Sequence, residues 1–357
     1  MNCWSTWLSY WLHKLTSLRP SYVRDTSHIV QELHVIHDLP PNAYVFTADA
    51  VLMYNNIDTN HAIEVITTWL DKLATHPKFP AVFLMKAIKE VMVIRMSNNH
   101  FKFGDLNFLQ LLGTAMGTSA AYMWATIYYA YHKVKCLLPK YGRFLYKKRV
   151  RGFIDNQFGI WICNKCSCPA SCHHWKEFKQ DLNSFGLLRW TTVTPAKRCV
   201  FLDLVISINN NAIHTRTYQK PMNLFLYVHG TSAHPADMSK GIIHSLLQQY
   251  YEQNSNIDDY FYFMRELYNN LRARAHTSYA LKPIFHNAHN HIVAAAKQPS
   301  TRQPPVLNNG TVNNAIPNHT NNKTANESID KQANKQPEDD DLHNSTLHLE
   351  YHPSNIP

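Results

Sequence analysis

FIDNQFGIW, residues 153–161, sets one carboxylate, Asp155, beside Asn156 between two apolar runs. VRGFI before the pair and QFGIWI after it are rich in β-branched and aromatic residues. Two turn-favouring residues between such runs predict a tight hairpin across Asp155–Asn156. A charge carried on so apolar a hairpin is costly unless a cation meets it. A second acid lies in similar surroundings upstream, where AYVFTADAVLMY (residues 43–54) holds Asp49 in the middle of an apolar run. Two lone aspartates on otherwise apolar strands point to convergence on a shared cation. Taken singly, each has a plainer reading: it caps a turn or pairs with a nearby arginine such as Arg151.

Carboxylate ligands narrow the choice of ion. Mg²⁺ takes hard oxygen donors, keeps several waters, and is held by one or two carboxylates together with substrate phosphates. A pair of such ions can clamp the attacking and leaving oxygens of an in-line phosphoryl displacement.

Several further strings stand in a telling order. TADAVLMYNNI (47–57) resembles the first palm motif of reverse transcriptases, QLLGTAMGTSAAY (110–122) their Gly-rich second motif, and FIDN (153–156) their Tyr/Phe-x-Asp-Asp box. FGLLRW (185–190), FLDLVISI (201–208), TYQKPMNLFLY (217–227) and SAHP (232–235) complete the series. Over roughly residues 10 to 290 the chain is similar to Penelope-like and related retroelement reverse transcriptases.

The resemblance implies an α+β fold: a right-hand polymerase palm, an antiparallel sheet backed by helices, with a helical thumb and the fingers largely missing. It implies RNA-directed DNA synthesis on an RNA or DNA template with a primer, from deoxynucleoside triphosphates. Asp49 and Asp155 match the catalytic, metal-binding carboxylates for two Mg²⁺ ions, or Mn²⁺ in their place. Tyr54 falls where the family places an aromatic ring against a ribose 2′-hydroxyl. Gln110, Gly113 and Gly117 match the substrate-binding second motif, in which glycine lets backbone approach a base pair closely. The same segment also reads as the small-residue start of a packed helix. Asn156 stands where the family has a second aspartate, and it retains a neutral oxygen donor. The alternative to an enzyme is a decayed remnant that binds nucleic acid without turnover.

Composition agrees with a polyanion partner. The 357 residues carry a formal net charge of +10, and residues 297–357 hold five Lys or Arg against seven Asp or Glu, so the positive excess lies in the preceding chain. Basic surface binds phosphate backbone without sequence choice, although charge alone would equally suit a ribosome-bound or membrane-surface protein. With 45% hydrophobic and 12% aromatic residues the chain can build a large core. No apolar run is long enough to span a bilayer, and no signal peptide is recognisable. Seven cysteines without a secretory leader favour a reducing, intracellular location, cytoplasm or nucleus.

The chain divides into a helical lead-in (1–40), a palm (41–215), a helical thumb-like region (216–296) and an Asn-rich tail (297–357) too poor in apolar residues to order. Trp4, Trp7, Leu8, Trp11, Leu12 and Leu15 recur at helical spacing and predict one buried stripe. Residues 79–96 predict a helix running into a strand, and residues 201–218 a hairpin across Asn209–Asn210. Lys220, Arg272 and Arg274 are candidate phosphate contacts, and for any one of them taken singly a solvated helical face is the plainer reading. Cys163, Cys166, Cys168, Cys172, His173 and His174 form a short cluster with zinc-like CxxC spacing. It lacks the second ligand pair across a longer spacer that structural zinc sites use, so an unliganded loop is the alternative.

Overall fold

The central sheet is four-stranded and antiparallel in the order β4-β5-β1-β6, built from β1 (Ala43–Val51), β4 (Leu145–Phe153), β5 (Asn156–Ile162) and β6 (Arg189–Thr192). A computed structural model describes residues 2–15, 18, 21–163 and 171–297. The Asn-rich tail expected to be disordered lies outside the described residues.

β1 is the most apolar strand and takes the central place, since a strand buried on both faces needs side chains for two cores. Phe46, Ala48 and Ala50 enter the larger core, and Ala43 and Val45 enter a second one. The larger core is closed by α1 (Asn2–His13), α3 (Thr59–Ala74), α4 (Met85–Ser97), α5 (Ala121–His132) and α7 (His173–Leu182). At its centre Phe46 meets Trp161, Trp175 and Phe178 at ring separations of 6.5, 5.0 and 5.6 Å. Gly159 lies opposite Phe46, and a Cβ there would come within 2.6 Å of the ring. That close approach explains the glycine inside FIDNQFGIW.

The other face of the sheet packs against α2 (Thr26–His34) and a three-stranded sheet of β7 (Arg198–Phe201), β8 (Leu204–Asn209) and β9 (Ala212–Thr217). Between α4 and α5 the chain forms a separate hairpin of β2 (His100–Phe103) and β3 (Leu106–Leu109). α5 widens into a π turn at Lys133–Leu137 and continues as the short α6 (Leu138–Tyr141).

α8 (Ala236–Gln253), α9 (Ile257–Ala273) and α10 (Ser278–Lys297) share a third core around Leu247, Tyr260, Leu267 and Phe285. This helical unit is tied to β9 by polar contacts. The Asn254 carboxamide oxygen accepts from the Thr217 amide at 2.9 Å, Thr217 Oγ1 bonds Gln253 Oε1 at 3.0 Å, and Arg216 Nε donates to Asp259 at 2.7 Å. Gln253 and Asn254 are both buried, so each needs these partners.

Several sequence expectations shift. The lead-in is two helices with an extended break, in which residues 21–23 pair alongside Gly152 at the outer edge of β4. Leu8, Leu12 and Leu15 are fully buried as the stripe predicts, but Trp4 is 54% exposed and leans edge-on against Trp7 from the solvent side. Residues 85–97 are helical throughout, because the β-branched residues near the end of this segment do not outweigh a helical core face of Ile88, Met92 and Met96. Both hairpin turns fall one residue away from the predicted place. The first occupies Ile154–Asp155, with Phe153 paired to Asn156, and the second occupies Asn210–Asn211, both with φ positive.

Replacing Phe46 with alanine should cost about 3–5 kcal/mol of unfolding free energy, the range for a large buried aromatic. Urea denaturation monitored by circular dichroism measures it; a loss below about 1 kcal/mol would contradict a core centred on this ring.

Candidate active site

Strand register brings the two aspartates together. In the β1–β5 pairing Asp49 stands opposite Asn156, and the amide of Ala50 donates to the carbonyl of Asp155 at 2.9 Å. On its other side Asp49 pairs with Thr191 of β6, whose hydroxyl donates to the Asp49 carbonyl at 3.1 Å. Because side chains alternate along a strand, Asp49 lies on the face of Val45 rather than that of Phe46, at the end where neither core covers it. Ile154, the residue before Asp155, has φ of +50°. That conformation is strained for a β-branched side chain, at a cost of about 1–3 kcal/mol, and such strain clusters at functional sites.

The electrostatics follow from this proximity. Partial burial, reinforced by the charge of Asp155, holds the Asp49 carboxyl above the ordinary aspartate range. Partial burial and the same Asp155 charge push the Tyr54 hydroxyl up. One carboxylate is therefore felt by both the other acid and the tyrosine. Among the described residues the Asp49 carboxylate accepts no hydrogen bond and enters no ion pair. The plainer readings are met by other residues. Asp58 caps α3 by accepting from the His61 amide at 2.9 Å, and Arg151 forms its ion pair with Glu32 of α2. Asp155 accepts from the Asn156 side chain at 3.0 Å, so the amide in the second position of the dipeptide orients the carboxylate before it.

The Gly-rich segment is fastened to the loop after β1. Gly113 has φ of +84° and donates its amide to Ile57 O at 2.9 Å, while the Thr114 amide donates to Tyr54 O at 2.7 Å. A Cβ on Gly113 would fall 2.6 Å from Tyr54 O. Two independent constraints thus select glycine here. Trp124 of α5 secures the same loop from below, its indole donating to Thr114 Oγ1 at 2.9 Å. Gln110 donates its backbone amide to Asn99 O at 2.7 Å and its side-chain amide to Leu112 O at 2.9 Å. Gly117 differs: a Cβ there would meet nothing within 4 Å. The space beside it is open to a ligand.

Sequence reading missed Lys133 and Gln157. Both are buried behind the hairpin, and Lys133 Nζ donates to Gln157 Oε1 at 2.9 Å directly under Gly152. A lysine at the end of a Tyr-rich helix gives no sequence signal for such a place. Of the candidate phosphate contacts, Arg272 and Arg274 use donors on the backbone carbonyls of His276 and Tyr227, at 2.7 and 2.9 Å. Lys220 is exposed, beside a cleft of about 520 Å³ between the segment after β9 and α8. Within the cysteine-rich stretch, residues 164–170 lie outside the described residues, so Cys166 and Cys168 do too, and Cys163 and Cys172 are buried.

No protein-family model matches the chain, and no curated protein matches it in sequence. Solved structures do match. Telomerase from Candida albicans, in complex with the TWJ fragment of telomeric RNA, superposes with a TM-score of 0.53 at 11% identity, over 81% of this chain and 52% of that one. Apo telomerase from Candida tropicalis gives 0.45 at 14% identity, over 82% and 53%; the Sicinivirus RNA-dependent RNA polymerase gives 0.44 at 12%, over 79% and 56%. The chain spans about half the length of these proteins. Its fold is that of the right-hand polymerases, a mixed α/β palm with antiparallel sheets and helices. No helix among the described residues is long and apolar enough to cross a membrane.

Two sets of variants test this geometry. Gly113→Ala should lose about 2–4 kcal/mol of stability from the positive φ and the clash with Tyr54 O, whereas Gly117→Ala should stay within about 0.5 kcal/mol of the parent. Equal losses by chemical denaturation would contradict the different environments of the two glycines. For Asp49 the sign follows from its raised pKa: the folded state holds the proton more tightly than the unfolded chain, so stability falls as pH rises from the ordinary aspartate value through the raised one. Asp49→Asn should therefore stabilise the metal-free protein at neutral pH, by about 0.5 kcal/mol or less because the carboxylate is largely solvated. A loss of melting temperature in the presence of a chelator would contradict the repulsion.

Proposed function

We propose that this chain carries out template-directed nucleotidyl transfer, as the palm and thumb of a reverse transcriptase related to those of Penelope-like retroelements. The observation that carries the proposal is the adjacency of Asp49 and Asp155 at the open end of the central palm strand, in a chain with the right-hand polymerase fold. The order of the motifs along the sequence supports the retroelement affiliation.

The donor set fits Mg²⁺. Two hard carboxylates stand side by side, one of them without a protein partner and already destabilised by the charge of the other, which a divalent cation would relieve. When bound, two such ions supply activation of the primer 3′-hydroxyl and stabilisation of the charge that develops on the α-phosphate and the leaving group. The remaining work belongs to the chain and is alignment rather than covalent chemistry. Asp49 and Asp155 hold the ions, and Asn156 orients Asp155. Tyr54, half-buried and anchored through its own carbonyl by Thr114, presents its ring where a ribose 2′-hydroxyl would collide. Gln110 and Gly113 fix the shape of the loop that receives the nascent pair, and Gly117 leaves room for its approach. Lys220 offers a phosphate contact to primer–template duplex beside the cleft between β9 and α8.

Asn156 favours a second reading. With one acid fewer in the dipeptide, and its amide engaged with Asp155, the chain would bind primer–template without turning over. Primer extension with deoxynucleoside triphosphates separates the two readings. The enzyme gives Mg²⁺-dependent extension that falls below detection in Asp49→Asn and in Asp155→Asn, with duplex binding retained. Binding without extension, in Mg²⁺ and in Mn²⁺ alike, leaves the second reading standing.

A further inference from the structure

A second cluster of metal-ligating side chains lies outside the palm site. His173, His174 and Glu177 occupy the first turns of α7, and one ligand atom from each falls within 4.8 Å of the others. The separations are closer than that bound at the carboxylate: His173 Nδ1 is 3.4 Å and His174 Nδ1 is 3.1 Å from Glu177 Oε2. Ligand atoms at the usual zinc distances of a tetrahedral site stand roughly 3.3–3.6 Å apart. The carboxylate thus already lies near that spacing from each imidazole, and all three ligand atoms fall within 4.8 Å of one another.

The site is also partly preorganised. The His174 ring stacks on Phe144 at 4.5 Å, and Phe144 in turn stacks on the buried Trp161 of β5 at 5.3 Å. One ligand is thereby oriented by the main core, as ligand rings in metal sites generally are by their surroundings. Lys140, whose charge is felt by Glu177, is ion-paired at 2.7 Å with Asp181 one turn beyond it, so that charge is partly balanced. His173 is 81% exposed, so an ion and its water ligand can enter from solvent.

From these observations we propose that His173, His174 and Glu177 form a zinc-binding site with three protein ligands and one position left to water. Two imidazoles with one carboxylate are a donor set that zinc accepts in three-ligand sites. Bound zinc would clip the first turns of α7 together, while the His174–Phe144 stack holds that turn against the main core. The site uses no residue of the proposed polymerase centre and stands whether or not the chain extends primers.

Titration calorimetry of the full chain with zinc chloride, after chelation and under reducing conditions, tests the assignment in four proteins: the parent, His174→Ala, Glu177→Gln and Asp49→Asn. The parent and Asp49→Asn should each take up one more equivalent than the other two. Loss of an outer partner alone weakens metal sites by about 10–100-fold, so loss of a ligand should exceed about 100-fold. Zinc should also raise the melting temperature of the parent and not that of Glu177→Gln, a surface change that conserves side-chain shape. The proposal is overturned if the parent takes up no zinc. It is equally overturned if uptake is the same in His174→Ala and Glu177→Gln as in the parent, or vanishes only on cysteine alkylation.

Discussion

Two like charges held next to each other by backbone pairing are the constraint on which the rest of this site depends. The amide of Ala50 donates to the carbonyl of Asp155, and Asp49 stands opposite Asn156. Neither acid can retreat without breaking a ladder in the middle of the sheet. Partial burial of Asp49 and repulsion from Asp155 are therefore built into the central strand of the sheet. Left alone, such a pair costs stability, and under the proposed function a divalent cation would offset that cost. The strained φ of Ile154 lies at the same hairpin tip, immediately before Asp155.

The surroundings make that rigidity possible. One face of β1 rests on the aromatic cluster around Phe46 and Trp161, the other on α2 and the β7–β9 sheet, so the strand is fixed from both sides. Behind the hairpin the buried Lys133–Gln157 contact satisfies polar groups that would otherwise be stranded under Gly152. In front, Gly113 and Thr114 lock the Gly-rich loop to the carbonyls of Tyr54 and Ile57. The loop and the tyrosine thus keep one position relative to each other. The polar tether through Thr217, Gln253 and Asn254 holds the thumb-like helices to the palm side of the chain.

Much of this was legible in the sequence because the relevant signals are local. Apolar runs rich in β-branched and aromatic residues placed β1 and β5, turn residues placed the hairpins to within one position, and the helical spacing of Leu8, Leu12 and Leu15 found the buried face of α1. The one-residue shift of the first turn has a physical cause. Asn156 is drawn into the ladder opposite Asp49, leaving Ile154 at a turn position that no propensity scale would assign to it. What could not be read depends on contacts distant in the chain. Lys133 beneath Gly152, Arg151 paired with Glu32, and the backbone duties of Arg272 and Arg274 leave no trace in composition or period. The cluster at His173, His174 and Glu177 was half visible: the histidines stood out beside the cysteines, but the carboxylate completing the set comes from the next helical turn.

The most direct test of the central claim follows the Asp49 carboxyl itself, by carbon-13 NMR titration of the parent and of Asp155→Asn, each with and without Mg²⁺. The expected result is a pKa above the ordinary aspartate value in the metal-free parent. It should fall when Asp155 loses its charge, and fall again in the parent when Mg²⁺ is added. A carboxyl that titrates identically in both proteins, and ignores Mg²⁺, would contradict a shared site for the two acids.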